Sequence, residues 1–377
     1  LFAEAIRRAK SQGCELVDLT VSNPTVCGFA YERDAILVPL ADPRALSYDP
    51  DPRGMLSARE AVAGYYADHE AQVSPDALIL TTSTSEAYSY LFRLLCDAGD
   101  EVLVAQPSYP LFDFLADLED VRLRPYPLFY DYGWWIDFAE LERRIGPRTR
   151  AVVLVHPNNP TGHGTGREER ARLEEICIRH GLALIVDEVF LDYPLREQAL
   201  ESFACGPHPV LTFVLSGMSK IAGLPQMKVG WIAAFGPDAG RDAALARLEI
   251  IADTFLSMNA PAQLALPVWL QRRFVLQKQI LERTLSNLNT IRNNGLAVLQ
   301  TDGGWSAVVR LARIGITSER LLLDDAVIVH PGSFYGMPEV ERVVVSLITP
   351  LTVFSEGIRR IAKVAHQVWS EDGFSTS

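Results

Sequence analysis

Leu182-Ala-Leu-Ile-Val-Asp-Glu-Val-Phe190 runs five apolar residues into two acids. A segment apolar at every position, rather than at alternate ones, is a strand covered on both faces, which is the condition of a parallel sheet packed between helices. The Asp187 carboxylate then stands at the strand's C-terminal end, on the edge where an open α/β sheet binds its ligands. Similar β-rich apolar runs cover residues 78–81, 101–105, 151–155, 211–215 and 229–233, with helical patterns between them. The stretch from 77 to about 234 therefore reads as a doubly wound α/β core.

Outward from that core, Ser57-Ala-Arg-Glu60 and Asp137-Phe-Ala-Glu140 each set a capping oxygen three residues before a glutamate and predict helix starts there. After Asp238 the pattern is helical through Arg283 and Asn293. Shorter strands follow near 305–311, 327–330 and 342–348, then an amphipathic helix near 354–368. A helix over 2–10 and a strand over 16–20 are expected to join them. The fold class is thus α/β, with a large doubly wound, mostly parallel sheet domain over 31–269. A smaller α+β domain is formed by both chain ends, 1–30 and 270–377.

The 377 residues are 48% hydrophobic and 22% charged, enough for a large core, which excludes disorder as the main state. The 47 acids against 35 bases leave a formal charge of -12, the wrong sign for a generic nucleic-acid binder. Five scattered cysteines without a C-x-x-C pair suggest neither a disulfide framework nor a zinc ribbon, and fit a reducing cytoplasm. No apolar stretch approaches 18 residues and the N-terminus is a mixed amphipathic segment, so neither a membrane span nor a signal peptide is expected.

The sequence has no G-x-x-x-x-G-K-[ST], G-x-G-x-x-G after a strand, H-E-x-x-H or G-x-S-x-G, which sets aside P-loop, dinucleotide, metallohydrolase and serine-esterase readings. Four segments instead fall at the ends of successive expected strands. They are Thr82-Ser-Thr-Ser-Glu86, His156-Pro-Asn-Asn-Pro-Thr-Gly162, Val186-Asp-Glu-Val-Phe190 and Ser216-Gly-Met-Ser-Lys220. Thr84 and Ser85 lie where a strand gives way to a helix, whose free N–H groups bind phosphate or are simply capped. Lys220, after an apolar strand and a Ser-Gly turn, has the primary amine that holds an aldehyde as a Schiff base; a surface lysine is the plain alternative. For Asp187 the alternative is a helix cap.

In this order the segments resemble the class I/II aminotransferases of the aspartate aminotransferase superfamily, fold type I enzymes that depend on pyridoxal 5′-phosphate (PLP). The likeness runs from about Asp18 to Val368. It implies that Lys220 forms the Schiff base with PLP and that Asp187 keeps the pyridine nitrogen protonated, so that the ring drains electrons from the substrate carbon. It implies Thr84, Ser85, Ser219 and Lys228 around the phosphate, although Lys228 stands where the family usually has arginine and gives charge without the two-pronged geometry. Tyr109, in Gln106-Pro-Ser-Tyr-Pro110, matches the aromatic residue stacked on the ring, and Asn159 the donor to its phenolic oxygen. Tyr48 matches a residue that reaches the phosphate of the neighbouring subunit, which implies a homodimer. A core tyrosine and a turn tyrosine are the respective alternatives for Tyr109 and Tyr48. Asn23 lies where an N-terminal segment lines the substrate pocket, and Pro331-Gly-Ser-Phe-Tyr-Gly336 resembles a late pocket loop.

Two departures bear on substrate and reactivity. Aligned without gaps back from Glu356-Gly-Ile-Arg-Arg360, Val344 falls on the arginine that in most relatives clamps the substrate's α-carboxylate, a role valine cannot fill. Arg342 is on the same strand face but about 7 Å away. Three readings stand: another arginine takes the carboxylate, the substrate is an amine without one, or the register differs. The resemblance implies a PLP-dependent transaminase moving an amino group from an amino acid or amine to a keto acid through Lys220, with a small-molecule donor and acceptor and no nucleic-acid or membrane partner. A PLP-dependent lyase or decarboxylase is the alternative. A PLP-binding regulatory protein is the reading from another class, although no DNA-binding segment is expected ahead of the family-like region. The second departure is Phe190, where the family usually has a tyrosine that also donates to the phenolic oxygen. With one donor missing, more negative charge stays on that oxygen and holds the imine proton. Phe190→Tyr is therefore expected to lower the pKa of the Schiff base, read by titrating the visible band; a titration no lower than wild type would contradict the argument.

Overall fold

The computed structural model describes residues 15–311, 317–338 and 341–371, with 4, 6, 7 and 11. Its first strand, β1 (Val17–Asp18), belongs to a small sheet taken up below. The next eight form one large sheet: β2 (Leu78–Thr81), β3 (Glu101–Gln106), β4 (Arg122–Tyr130), β5 (Trp134–Ile136), β6 (Thr149–Val155), β7 (Ala183–Asp187), β8 (Thr212–Gly217) and β9 (Gly230–Phe235). Their order is β2-β9-β8-β7-β6-β3-β4-β5. The stretch β8-β7-β6-β3-β4 is parallel throughout, and β9 runs antiparallel to both β8 and β2. Strands β2, β3, β6, β7 and β8 consequently end at one edge of the sheet, where β9 begins.

The unbroken apolar runs follow from this architecture. In β7, Leu184 and Val186 enter one core and Ala183 and Ile185 the other, all buried. The first layer packs against Tyr65 and Tyr66 of the helix Leu56–Ala67 and Trp269 of the helix Ala260–Asn293. The second packs against Leu91 of the helix Thr84–Leu95 and Leu248 of the helix Asp238–Phe255. Each such apolar side chain contributes about 1.5–3 kcal/mol on burial, and the polar residues that the central strands do carry, such as Thr149, Arg150, Thr212 and Ser216, fall at or next to their ends.

Two features differ from the expectation. Strands β4 and β5 have no apolar run to mark them: β4 carries Arg122, Arg124, Pro125 and Pro127, and only Tyr126 and Leu128 are buried. Strand β5 pairs with Leu128 to Tyr130 alone, so the proline-bearing part of β4 is a sheet edge, where a missing N–H costs no ladder bond. Ser57 does not cap its helix, which begins at Leu56 after Met55 without a side-chain cap; the Met55 N–H donates instead to Gln263 Oε1 at 2.6 Å. Asp137 does cap its helix, accepting from the Glu140 N–H at 3.0 Å.

Five further strands follow: β10 (Ala297–Val298), β11 (Ser306–Arg310), β12 (Val327–Ile328), β13 (His330–Pro331) and β14 (Arg342–Ser346). Four of them make an antiparallel sheet of order β10-β11-β14-β13, while β12 pairs in parallel with β1 and so ties the two chain ends together. The run expected at 327–330 is thus divided between two sheets. Val343, Val345 and Val309 pack on Phe354, Ile358 and Ile361 of the closing helix Leu351–Glu371. Most of the helix expected over 2–10 lies outside the described residues. The helix Ala260–Asn293 runs without interruption past position 269. Among the described residues no helix is long and apolar enough to cross a membrane.

That long helix also fixes the end of β14. Buried Asn287 donates from Nδ2 to the carbonyls of Leu347 and Thr349, both at 2.8 Å. Asn287→Ala leaves two buried carbonyls unpaired, at about 1–3 kcal/mol for such a group. A loss of about 2 kcal/mol of unfolding free energy is expected, measurable by urea denaturation; a loss under about 0.5 kcal/mol would mean that the strand end is held elsewhere.

Candidate active site

The common edge opens into a cavity of about 470 Å³. The large-sheet strands that end there, and the segments just after them, deliver its polar groups. After β2, Ser83 caps the helix Thr84–Leu95 by accepting from the Glu86 N–H, and Ser83, Thr84 and Ser85 all line the cavity. Gly230 at the start of β9 lets that turn approach closely: a Cβ there would lie 2.9 Å from the Ser83 carbonyl carbon and 3.1 Å from the Thr84 nitrogen. Lys228 also lines the cavity, from a left-handed backbone at φ 53°, which is uncommon for a side-chain-bearing residue. Ser219 follows β8 and Asn159 follows β6.

Asp187 ends β7 and is only 7% exposed. Tyr88 donates to its Oδ2 at 3.2 Å and the Val189 N–H to its Oδ1 at 3.1 Å. Burial pushes its pKa up to about 6, against the opposing pull of those two donors and of Lys220. Lys220 is half-buried, with Nζ 4.9 Å from the centre of the Trp305 ring and 5.6 Å from that of Phe190. Burial lowers its pKa and the Asp187 charge partly restores it, so a larger share of the amine is unprotonated and nucleophilic. Its backbone is held by the Tyr193 hydroxyl, which donates to the Lys220 carbonyl at 2.6 Å.

Tyr109 lines the outer wall and is largely exposed, on a loop tied to the small sheet. The Ser108 N–H donates to the Tyr335 carbonyl and Gln106 Nε2 to the Gly336 carbonyl, both at 3.0 Å. Asn159 accepts at Oδ1 from the Ser306 hydroxyl at 3.3 Å.

Three candidates lie elsewhere. Asn23 uses its side chain to cap a short 3-10 turn, accepting from the Thr25 N–H and hydroxyl, and the pocket wall takes Thr20 and Ser22 instead. Arg342 does not line the cavity; its guanidinium lies 5.7 Å from the Trp134 ring. Tyr48 is 84% exposed and stands outside the cavity. Val344 does line it, in the register that pairs it with Val308 of β11. Glu188, next to Asp187, points inward, accepting from the Ser202 hydroxyl at 2.7 Å and the Phe203 N–H at 2.5 Å, and burial raises its pKa to about 7.

Tyr88, Trp305, Ser306 and His330 were not foreseen. Tyr88 lies four residues after Thr84, on the same helix face, a spacing that could have marked it. No local pattern marks the other three, which reach the cavity only through the pairing of the small sheet. Tyr88→Phe removes a donor that favours the ionised carboxylate, so the Asp187 pKa should rise further above its ordinary value. PLP affinity is then expected to fall about tenfold near neutral pH, and the deficit to shrink as pH rises and both carboxylates ionise. Fluorescence titration at several pH values checks this; equal affinities throughout would remove Tyr88 from the site.

Comparison with known proteins agrees with this geometry. The family model "Aminotransferase class I and II" matches residues 31–353. Glutamate-pyruvate aminotransferase AlaA of Escherichia coli is 30% identical over 263 residues, which is 69% of this chain and 64% of that protein. Alanine aminotransferase of Mycobacterium bovis is 31% identical over 268 residues, 69% and 61% respectively. The chain thus spans somewhat less than two thirds of the length of these curated relatives. Among solved structures, an aminotransferase from Escherichia coli superposes with a TM-score of 0.84 at 25% identity, covering 96% of this chain and 93% of that one. Alanine aminotransferase from Pyrococcus furiosus shares the fold at a TM-score of 0.88 and 20% identity, covering 97% and 96%. A family match over most of the length, on a fold common to solved aminotransferases, places the chain among the class I and II aminotransferases, PLP-dependent enzymes of fold type I.

Proposed function

We propose that this chain is a transaminase that moves an amino group from a small-molecule donor to a keto acceptor with PLP as cofactor. The observation that carries the reading is the meeting, in one cavity, of a lysine amine with lowered pKa, a buried carboxylate and a hydroxyl-ringed helix N-terminus. These groups fit the cofactor: an amine for its aldehyde, a carboxylate for its ring nitrogen, and a helix terminus that a Cβ at Gly230 would crowd for its phosphate. When bound, PLP supplies an electron sink for the bonds at the substrate's α-carbon.

The chain's own residues do the rest. Asp187, held in place by Tyr88 and the Val189 N–H, would bind the ring nitrogen. Thr84, Ser85, Ser219 and Lys228 would hold the phosphate, Asn159 would bind the ring oxygen, and Tyr109 would flank the ring. Lys220 Nζ carries the proton to and from the substrate carbon, and the Phe190 and Trp305 rings beside it keep water away. The names of the Escherichia coli and Mycobacterium relatives support an amino acid and its keto acid as the substrate pair.

The exposure of Tyr48 supports its service to the site of a second copy, and so a homodimer. The net charge of -12 supports the absence of a nucleic-acid partner, and the unpaired Cys27, Cys96, Cys177 and Cys205 support a cytoplasmic setting. Sheet membership supports two domains, 31–269 and 1–30 with 270–377, because the large-sheet strands all fall between 78 and 235.

The test is a half-reaction. Purified protein saturated with PLP is mixed with α-amino acids and, separately, with amines lacking the carboxylate, while the visible band is followed. Loss of the band with stoichiometric amino-group exchange is expected, and Lys220→Ala should abolish it. Release of ammonia or carbon dioxide instead would make the protein a lyase or decarboxylase, and no conversion by any donor would favour a regulatory role.

A further inference from the structure

The transaminase reading leaves one wall of the cavity without a task. Val344 lies on it, paired directly with Val308 of β11 on one side and His330 of β13 on the other. Residues paired directly across antiparallel strands share a face, so His330 stands on the face of Val344, and it lines the cavity. Ser346, two residues beyond Val344, is on that face too and pairs with Ser306; both line the cavity. Among the described residues no arginine lines it, and of its two lysines Lys220 serves the reaction centre and Lys228 the phosphate.

This wall holds donors in search of an acceptor. The Trp305 indole N–H and the Ser346 hydroxyl are buried without a hydrogen-bond partner among the described residues, which are 2% and 6% exposed at these positions. An unpaired buried donor is costly, so such groups persist where a ligand satisfies them. His330 adds a third: its Nδ1 lies 2.9 Å from the Tyr335 hydroxyl oxygen. Burial pushes the Tyr335 pKa up to about 12, so the phenol keeps a proton that it can donate when Nδ1 is the unprotonated ring nitrogen. The ring proton then sits on Nε2, which becomes a donor.

We propose that His330, oriented by Tyr335, is the specificity-determining residue of this site and binds the carboxylate of an α-amino or α-keto acid, together with the Trp305 N–H and the Ser346 hydroxyl. It replaces the guanidinium that Val344 cannot provide. The inference rests on the transaminase reading. It excludes the amine-only substrate and the search for another arginine alike.

The charge state supplies a signature that a merely structural histidine would lack. Burial holds the imidazole below its ordinary pKa, and the Asp18 carboxylate of β1 opposes that shift. The other ionisable groups on the surrounding walls are Tyr88, Tyr109, Tyr335, Lys220, Lys228 and Asp187. Before substrate arrives the ring is therefore largely neutral at neutral pH. Imidazolium pairs with a carboxylate more strongly than neutral imidazole does, so carboxylate affinity should fall as pH rises.

The holoenzyme is titrated calorimetrically with propionate, which has the carboxylate but no amine, from about pH 5 to about pH 8. The kcat/KM ratio of alanine to ethylamine is measured over the same range. Both propionate affinity and the ratio are expected to fall with rising pH. His330→Asn should lower each about ten- to a hundredfold and flatten the pH dependence, and Tyr335→Phe should give a smaller loss of the same kind. Val344→Arg added to His330→Asn should restore the ratio. Unchanged propionate affinity and ratio in His330→Asn would overturn the proposal, as would a pH-independent ratio in the wild type or conversion of ethylamine but not alanine. If neither donor reacts, the transaminase reading fails while the propionate titration still judges His330.

Discussion

Asp187 and Lys220 are drawn out of water at one edge of one sheet, and the opposition between their burial and their mutual attraction organises the surrounding structure. Burial moves each group toward its neutral form, and the charge of each pulls the other back. A carboxylate and an amine can keep that balance only if their distance and surroundings do not relax. The parallel pairing of β7 with β8 sets the first condition, because it brings both strand ends to the same level. Tyr88, the Val189 N–H and the Tyr193 hydroxyl set the second by fixing the carboxylate and the lysine backbone. The two cores that clamp the sheet from either side are therefore also what holds the reactive pair in register.

A second constraint joins the two sheets. The loop that carries Tyr109 is hydrogen-bonded to the loop that carries Tyr335, through the Ser108 N–H and the Gln106 side chain. One wall of the cavity thus belongs to the large sheet and the facing wall to the small one, and these bonds tie the two together. The placement of Trp305 shows the same dependence. It leaves the small-sheet side of the chain and packs edge-on against Phe190 and Tyr193, with ring centres 5.5 and 5.1 Å apart, between the lysine and the pairing strands.

What was legible in the sequence divides along the same line. The strands at 78–81, 101–106, 149–155, 183–187 and 212–217 announced themselves because burial on both faces leaves mostly apolar residues, and polar groups at or shortly after their ends line the cavity. Strands β4 and β5 did not, because an edge tolerates arginine and proline. The groups carried by the large sheet, from Thr84 to Lys220, could be named from strand ends together with the family resemblance. Asn23 could not be placed, since an asparagine before proline either caps a turn or faces a ligand, and the local sequence is the same in both cases. Nor could Trp305, Ser306 and His330, which reach the cavity through pairing between strands distant in sequence. Val344 was expected at the pocket from the helix after it, and it lines the cavity, but its partner across the ladder was invisible.

The exchange of a guanidinium for a valine has a physical logic beyond substrate choice. A buried permanent cation needs a counter-ion whenever the substrate is absent, and leaving it unpaired costs several kcal/mol. The wall around Val344 avoids that difficulty, because its donors are an indole N–H, a hydroxyl and a neutral imidazole, each of which loses about 1–3 kcal/mol at most when unpaired. A fixed positive charge there would also have acted on Lys220, depressing its pKa. Here burial alone does so, and the Asp187 charge works against it. A histidine across the ladder separates the two tasks: it stays neutral while the site is empty, leaving the lysine to its own surroundings, and acquires charge as the carboxylate arrives. Recognition of the carboxylate and tuning of the reactive amine, which one arginine would have coupled, are in this chain assigned to different groups on different strands.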